Sequence, residues 1–280
     1  MIKATVICPL YNAETDIVRL DKSLHAQKKV ELEIKYILTE SKDWTEKILL
    51  DRKIKFEKIS KKEFSHSLTR EKAAMSAKGE VIAFLTQDVV ITDNDFVFKL
   101  IKPIVDGEAQ ATYARQLTKY DSIEKYTREH NYPLESFIVS KDDLGRLGLK
   151  TFFFSDAAGA VDAKAFKKLG GYDGKRLPIS EDMYFAYKLI MAGGKIMYVA
   201  DAVVYHSHNF TLKELYERYR LTGEFMKMNP EIAKYGVNSA GGGMAKYILK
   251  RAFKERNWKV ICRYIPDMAV RFVGMKVGEK

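Results

Sequence analysis

Short apolar runs alternate with amphipathic segments through the first third of the chain. β-branched and other apolar side chains fill most of residues 4–8, 34–39, 54–59 and 81–86, as is typical of buried strands. Between the first two runs, Ile17, Leu20 and Leu24 recur at helical spacing. The alternation predicts an α/β fold with a mixed, mainly parallel sheet flanked by helices.

Polar residues follow the predicted strands at the point where each strand ends. Tyr11 and Asn12 follow the first strand, Glu40 follows the second, and Gln87 and Asp88 follow the fourth. The carboxyl ends of parallel strands meet at one edge of a sheet, and ligands of such folds bind there. We therefore expect these side chains to surround a ligand.

Two acidic segments are candidates for chemistry. Asp88 follows a strand, from which its carboxylate could reach a divalent cation that bridges two phosphates; helix capping is the alternative. Glu181 and Asp182 begin a helical pattern, where acids also interact favourably with the helix dipole. An oriented carboxylate of this kind is what the deprotonation of a hydroxyl group requires.

Histidine and arginine supply further candidates. His66 and Arg70 are four residues apart, so a helix would present both towards a diphosphate, whereas a merely solvated arginine is the alternative. His206 and His208 are separated by one residue, so they point to the same side only if the backbone is extended. Whether both bind one ion stays open at this point, and we expect one of them to do so.

Length and composition indicate a folded protein of one large domain with an appendage. The chain has 280 residues, of which 46% are hydrophobic. No apolar run reaches the roughly 18 residues that cross a bilayer, and no signal peptide is recognisable, so we expect a cytoplasmic location. Cys8 and Cys262 are far apart, and we expect neither a disulfide nor a cysteine-bound metal.

Positive charge is concentrated at the C-terminus. The net charge is +11, and residues 241–280 contain ten Lys or Arg against three Asp or Glu, a balance of +7. Gly241, Gly242 and Gly243 predict a flexible joint before this tail. The amphipathic pattern of the tail suits peripheral binding to an anionic membrane, and equally a helical cap whose solvated face is basic.

In their order along the chain, these segments resemble family 2 glycosyltransferases of the GT-A fold. Residues 8–12 are similar to the nucleotide-binding start of that family, and Glu40 to its base-contacting acid. Residues 87–88 stand where the family has its Asp-x-Asp metal motif, and residues 181–182 match its Glu-Asp base motif. The resemblance covers almost the whole chain and implies an inverting glycosyltransferase.

Finer motifs resemble bacterial dTDP-rhamnose-dependent transferases of surface polysaccharide synthesis. They lie at residues 64–70, 86–88, 113–116, 131–133, 169–173, 181–183 and 206–209. Ser67 and Ala114 replace expected glycines, which should alter only local backbone freedom. Asp156 replaces an expected asparagine and adds negative charge near the sugar or acceptor pocket, while Gln87 leaves fewer carboxylates for the metal.

The resemblance also implies roles for individual residues. Asp182 is the implied catalytic base, with Glu181 beside it. The implied nucleotide-sugar-binding residues are Pro9, Tyr11, Asn12, Glu40, His66, Arg70, Gln87, Asp88 and Arg115. The implied ligands of Mg²⁺ or Mn²⁺ are Asp88 and His206, and the implied acceptor-binding residues are Ser155 and Asp156.

The same resemblance implies partners and a division of the chain. dTDP-rhamnose is the favoured donor, a UDP-sugar the alternative, and a lipid-linked glycan the expected acceptor, reached at the inner face of the membrane. We expect a catalytic domain over residues 1–210, with a nucleotide-sugar-binding half over 1–115 and an acceptor-binding half over 116–210. Residues 211–280 would form a basic helical region.

Three other functions compete with this interpretation. A nucleotidyltransferase would carry a glycine-rich, basic loop after the first strand, which residues 9–13 lack. The net positive charge suggests a nucleic-acid-binding protein, but the charge lies in the tail and no aromatic-basic recognition motif occurs, so we expect no nucleic-acid partner. A non-catalytic scaffold is disfavoured because Asp88 and Asp182 are both retained.

Overall fold

Strands and helices alternate through most of the chain. The computed structural model describes residues 1–206, 208–236 and 240–280. The strands are β1 (Ile2–Leu10), β2 (Val30–Thr39), β3 (Phe56–Ile59), β4 (Val81–Leu85), β5 (Val90–Ile91), β6 (Ala111–Leu117), β7 (Phe137–Val139), β8 (Ala158–Asp162) and β9 (Ile196–Tyr205). The first four are the strands that the apolar runs predict.

The helices cover both faces of the sheet and continue beyond its last strand. They are α1 (Ile17–His25), α2 (Thr45–Asp51), α3 (His66–Met75), α4 (Phe96–Val105), α5 (Ile123–Asn131), α6 (Leu144–Leu147), α7 (Ala163–Lys168), α8 (Glu181–Met191), α9 (Leu212–Met228), α10 (Pro230–Ala233), α11 (Ala240–Lys254) and α12 (Trp258–Gly278). Short 3₁₀ helices cover Lys141–Asp143 and Gly148–Phe152. Among the described helices, none is sufficiently long and apolar to span a membrane.

The described strands form one nine-stranded sheet. Its order is β3-β2-β1-β4-β8-β6-β9-β5, and β7 also pairs with β9. β1, β2, β3, β4, β6 and β9 run in one direction, and β5, β7 and β8 oppose them. The predicted mixed, mainly parallel sheet is therefore confirmed. The carboxyl ends of β1, β2, β4, β6 and β9 all lie at one edge, which the start of the antiparallel strand β8 also reaches.

Side chains of the central strands alternate between two cores. Val6 and Cys8 of β1 pack in the core that contains Ile17 of α1, whereas Ile7 packs in the core that contains Phe84 and Phe185. Because helices cover both faces, neither face of β1 or β4 needs polar residues. This double burial explains why the two strands appear in the sequence as nearly continuous apolar runs.

The expectation of a flexible joint at residues 241–243 is wrong. Helix α11 begins at Ala240 and includes these glycines in its first turn. Further along the helix, Ile248 and Ala252 pack against Tyr126 of α5 in a third, smaller core. Burial of this apolar face offsets the cost of glycine in a helix, about 1 kcal/mol per residue relative to alanine.

The C-terminal helices pack closely on the rest of the molecule. Phe225 of α9 and Ile232 of α10 belong to the same core as Phe185. α9 and α12 run side by side, with glycines where their backbones approach: a Cβ on Gly278 would lie 1.9 Å from the Arg220 carbonyl oxygen. Residues 211–280 thus share cores with the sheet domain.

Candidate functional site

A cleft of about 1090 Å³ opens at the edge of the sheet where β4 and β9 end. We call it the catalytic cleft. Its lining contains eight of the predicted site residues: His66, Arg70, Asp88, Ser155, Asp156, Glu181, Asp182 and His206. Strand topology accounts for this convergence, since Asp88 follows β4, His206 follows β9 and residues 155–156 precede β8.

Asp88, His206 and His208 form a compact group of metal-ligand atoms. In the described chain, Asp88 Oδ2 lies 3.5 Å from His206 Nε2 and 3.8 Å from His208 Nδ1, and all three ligand atoms lie within 4.8 Å of one another. One carboxylate and two imidazoles suit a divalent transition metal. His208 therefore joins the two ligands that the sequence predicts.

The surroundings of the two histidines favour their neutral, metal-binding form. Gln116 Oε1 lies 2.9 Å from His206 Nδ1, which leaves Nε2 directed at Asp88. Burial lowers the pKa of His206 to about 3 and also lowers the pKa of His208. Both rings are thus unprotonated at neutral pH, and a ring nitrogen of each is available to a cation.

Asp182 faces the catalytic cleft from the first turn of α8. Its Oδ1 accepts a hydrogen bond of 2.8 Å from the Met183 N–H, and the preceding Ser180 adopts a left-handed conformation with φ 62°. Burial, together with the charge of Glu181, raises the pKa of Asp182 to about 7. A carboxylate of this basicity accepts a proton more readily than an ordinary aspartate does.

Glu181 belongs to a buried ion pair. Arg70 Nη1 lies 3.1 Å from Glu181 Oε1, and both side chains are less than a tenth exposed. We expected Arg70 to face a diphosphate, but its guanidinium instead pairs with this carboxylate, because an unpaired charge at this depth would be costly. Arg70 Nη1 also donates to the carbonyl of His66, the first residue of α3.

Asp156 lies deeper than the sequence suggests. It is 3% exposed, and its Oδ2 accepts a hydrogen bond of 2.8 Å from the Tyr172 hydroxyl, while Oδ1 is buried without a partner. Burial raises its pKa well above the ordinary value despite Arg70, whose Nε lies 3.9 Å from Oδ2. The expected negative charge is therefore disfavoured. Ser155 beside it accepts a hydrogen bond from Gln116.

Gln87 connects the loops that follow β1 and β4. The Tyr11 N–H donates to Gln87 Oε1 at 2.7 Å, and Gln87 Nε2 donates to the Tyr11 carbonyl at 2.9 Å. Gln87 stands in place of the first carboxylate of the Asp-x-Asp motif. Its amide therefore binds the main chain of Tyr11. Asn12 continues the turn with φ 49°, and the Tyr11 ring is 44% exposed.

Four of the predicted nucleotide-sugar-binding residues lie along the same sheet edge but outside the lining of the catalytic cleft. They are Pro9, Tyr11, Asn12 and Glu40.

Comparison with known proteins decides the family. The model of "Glycosyl transferase family 2" matches residues 5–170, which is more than half of the chain. The chain belongs to this family. The prediction of a family 2 glycosyltransferase is thereby confirmed.

The transferase has close full-length relatives. It is 33% identical to the O-antigen chain rhamnosyltransferase RfbN of Salmonella typhimurium, over 99% of this chain and 90% of the relative. It is 34% identical to the O-antigen chain rhamnosyltransferase WbaN of Salmonella anatum, over 98% of this chain and 89% of the relative.

Solved structures share the fold of the transferase. Mannosyltransferase PcManGT from Pyrobaculum calidifontis, in complex with GDP-Man and Mn²⁺, matches with a TM-score of 0.64 at 15% identity, over 99% of this chain and 85% of that one. S. aureus TarS 1–349 in complex with UDP-GlcNAc matches with a TM-score of 0.55 at 20% identity, over 80% of this chain and 66% of that one. The GT-A fold is confirmed.

Arg115 of the transferase, a predicted nucleotide-sugar-binding residue, does not line the catalytic cleft. It lines a second cleft beside Tyr205, whereas its neighbour Gln116 lines the catalytic cleft. Consecutive side chains of a strand point to opposite faces, so β6 cannot direct both into one cleft. The predicted contact between Arg115 and the donor is not supported by this geometry.

The prediction that Ser67 alters only local backbone freedom is wrong. Its hydroxyl donates a 2.6 Å hydrogen bond to the Lys175 carbonyl and accepts one of 3.0 Å from the Leu177 N–H. The serine that replaces glycine therefore ties α3 to the loop that leads into α8. Its effect is a specific connection to the segment carrying Asp182, in addition to any change in backbone freedom.

The sequence does not indicate Arg218 as a residue of the site. This exposed residue of α9 lines the catalytic cleft, and its charge acts on Asp182, His66 and His206. Charged residues surround it in the sequence, as on many solvated helices, so no local pattern marks it. Its place in the cleft depends on how α9 packs on α12 and on the core that contains Phe225.

Proposed function

We propose that the transferase moves L-rhamnose from dTDP-rhamnose to a hydroxyl group of a lipid-linked glycan during surface polysaccharide synthesis. Full-length similarity to two O-antigen rhamnosyltransferases is the observation that carries this proposal. The catalytic cleft supports it chemically, since it combines a carboxylate of raised pKa with a group of metal ligands.

The reaction in this proposal is a single displacement. Asp182 accepts the proton of the acceptor hydroxyl while that oxygen forms a bond to the anomeric carbon. The bond from the anomeric carbon to the diphosphate oxygen breaks at the same time, and the electron pair leaves with the nucleoside diphosphate. One displacement inverts the configuration of the anomeric carbon.

Asp88, His206 and His208 would hold the cation of this reaction. A bound divalent cation supplies charge neutralisation to the departing nucleoside diphosphate. Two imidazoles beside one carboxylate favour Mn²⁺ over Mg²⁺, because Mg²⁺ prefers oxygen ligands. The exposed guanidinium of Arg218 adds positive charge to the same cleft.

Arg70 and Glu181 act through Asp182 in this proposal. Their ion pair lies directly behind the base and fixes the start of α8 against α3. The negative charge of Glu181 raises the pKa of Asp182, and Arg70 moderates that effect. We therefore assign Glu181 and Arg70 as positioning residues.

Tyr11 and Glu40 are proposed to receive the nucleotide base. The exposed Tyr11 ring lies at the sheet edge where β1 ends, and Glu40 lies exposed at the end of the adjacent β2. An aromatic face and a carboxylate suit stacking and hydrogen bonding to a pyrimidine. Pro9 lies near the end of β1, and Asn12, with φ 49°, is in the turn that follows it.

The C-terminal helices are proposed to hold the enzyme at the inner face of the membrane. Phe253 and Trp258, at the turn between α11 and α12, are 66% and 57% exposed, and their ring centroids lie 5.5 Å apart. Exposed lysines at positions 246, 250, 254 and 259 surround them. Aromatic side chains flanked by lysines are typical of surfaces that bind anionic membranes.

A donor panel tests the proposed function. Purified protein with Mn²⁺ is assayed for thermal stabilisation and slow hydrolysis with dTDP-rhamnose, UDP-glucose, UDP-galactose and UDP-N-acetylglucosamine. We expect selective stabilisation and turnover with dTDP-rhamnose, and no turnover by Asp182→Asn. Preference for a UDP-sugar would overturn the donor, and no response to any nucleotide sugar would overturn the transfer reaction.

A further inference from the structure

A second cleft, of about 1110 Å³, adjoins the catalytic cleft. We call it the basic cleft. One wall is formed by the end of β6 and by α5, and the other by the turn between α11 and α12. Arg128 and Tyr132 contribute to the linings of both clefts. A ligand in the basic cleft would therefore lie next to the catalytic cleft.

The lining of the basic cleft is strongly cationic. Its basic residues are Arg115, Lys119, Lys125, Arg128, Arg251, Arg256 and Lys259, and its acidic residues are Asp121, Glu129 and Glu255. The acids are engaged by part of this set: Lys125 pairs with Glu255, and Arg251 pairs with Glu129. Seven cations against three carboxylates leave an excess of positive charge.

Three of the cations are free to bind an anion. Within the described part of the chain, Arg115, Arg256 and Lys259 have no carboxylate within ion-pair distance. The Arg115 Nε is also buried without a hydrogen-bond partner. Because buried donors are normally satisfied, this group favours an acceptor that is supplied by a ligand.

The rim of the basic cleft is apolar. Trp258 lines it on the α12 side and Leu134, which is 74% exposed, lines it on the opposite side. Phe253 extends the apolar surface beyond Trp258. Such a surface beside unpaired cations suits an amphiphile with an anionic head and a hydrocarbon chain, and it would leave the chain free to enter a membrane.

We propose that the basic cleft binds the phosphate or diphosphate head of the lipid that carries the acceptor glycan. Arg115, Arg256 and Lys259 contact the head, and the hydrocarbon chain leaves across Trp258. The glycan then extends past Arg128 and Tyr132 into the catalytic cleft. This inference rests on the proposed function, because it assigns one part of the acceptor to a place outside the cleft that holds Asp182.

Binding of farnesyl diphosphate to the full chain tests this site. Calorimetry in EDTA avoids metal-dependent binding at Asp88. The test variant is Arg115→Gln/Arg256→Gln/Lys259→Gln, and the matched control is Lys246→Gln/Lys250→Gln/Lys254→Gln, which removes three exposed charges of α11 outside the lining. We expect the test variant to bind at least tenfold more weakly, and the control to stay within twofold of the wild type.

Competing ligands locate and identify the bound molecule. In a separate titration with Mn²⁺ in place of EDTA, we expect dTDP to leave farnesyl diphosphate binding unchanged; full displacement would place the ligand in the catalytic cleft and overturn the proposal. Equal affinity for inorganic diphosphate would overturn the assignment to a lipid, and a preference for an RNA oligonucleotide would overturn the ligand class. Equal binding by the test variant and the wild type would overturn the site itself.

Donor hydrolysis separates this inference from the proposed function. The test variant should hydrolyse dTDP-rhamnose at the wild-type rate, while its KM for a lipid-linked acceptor rises at least tenfold. Lys259→Glu alone, at an exposed position, repeats the binding test if the triple variant fails to fold. Absence of donor hydrolysis by the wild type would contradict the proposed function without affecting the binding result.

Discussion

The catalytic role that we propose for Asp182 carries a cost in stability, since burial disfavours its charged form. Its pKa is raised from 3.8 to about 7 in the folded protein, so the folded state binds an extra proton between these values. Stability therefore falls as the pH rises through this window. At pH 8 we expect Asp182→Asn to raise the free energy of unfolding by about 1–3 kcal/mol.

The same substitution should lower activity although it raises the free energy of unfolding. Asp182→Asn is expected to reduce kcat by at least about a thousandfold, because amide nitrogen cannot accept the proton. Denaturant unfolding and donor-to-acceptor transfer measure the two effects on one sample. An active variant would remove Asp182 from the role of base.

The pKa of Asp182 also predicts the pH dependence of transfer. Below about pH 7, kcat/KM should fall tenfold per pH unit as the base becomes protonated. Glu181→Gln removes the neighbouring negative charge that raises this pKa, so its profile should shift to lower pH. An unchanged profile would contradict the coupling between Glu181 and Asp182.

The two histidines should differ from an ordinary surface histidine in metal binding. We expect His206→Asn and His208→Asn each to weaken Mn²⁺ binding by about 10–100-fold, because each removes a nitrogen close to Asp88. His25→Asn, an exposed position on α1, is the control. Mn²⁺ titration followed by electron paramagnetic resonance gives the affinities, and full affinity in His208→Asn would exclude it as a ligand.

At the scale of elements, α9 carries Arg218 and packs closely against α12. A Cβ on Gly223 would lie 2.3 Å from the Met275 carbonyl oxygen, so Gly223→Ala must separate the helices. We expect it to destabilise the protein by about 1–3 kcal/mol and to lower activity. Thermal unfolding and transfer assays measure these effects.

A second glycine provides the control for this prediction. Gly243 lies in α11, where a Cβ would meet no atom within 4 Å. Gly243→Ala should leave activity unchanged and stabilise the protein by up to about 1 kcal/mol, because alanine favours the helix. Equal destabilisation by both substitutions would show that close packing of α9 and α12 is not the cause.

At the scale of the whole molecule, the proposed membrane-binding surface lies at the turn between α11 and α12. We expect Phe253→Ser/Trp258→Ser to weaken binding to phosphatidylglycerol vesicles about tenfold or more, and high salt to weaken wild-type binding. Trp44→Ser/Leu50→Ser changes two residues of similar exposure on another surface and serves as control. Vesicle sedimentation measures both; equal binding by the two variants would contradict membrane docking through the α11–α12 turn.

The sequence alone determined the features that depend on neighbouring residues. The apolar runs of β1 and β4 identify a doubly covered sheet, and the acids after β4 and at the start of α8 mark Asp88 and Asp182. These signals are local, because a buried strand must be apolar along its length and a helix start favours acids. The order of the motifs along the chain also identifies the family.

Tertiary structure decided which partners these residues meet. Arg70 is 111 positions from Glu181, Gln87 is 76 from Tyr11, and neither distance along the chain predicts contact. Because side chains alternate along β6, Arg115 lines the basic cleft and its neighbour Gln116 lines the catalytic cleft. Arg218 lines the catalytic cleft because of the way in which α9 packs on the molecule. Local patterns specify which face of an element is buried, whereas the pairing of distant side chains depends on how the elements pack.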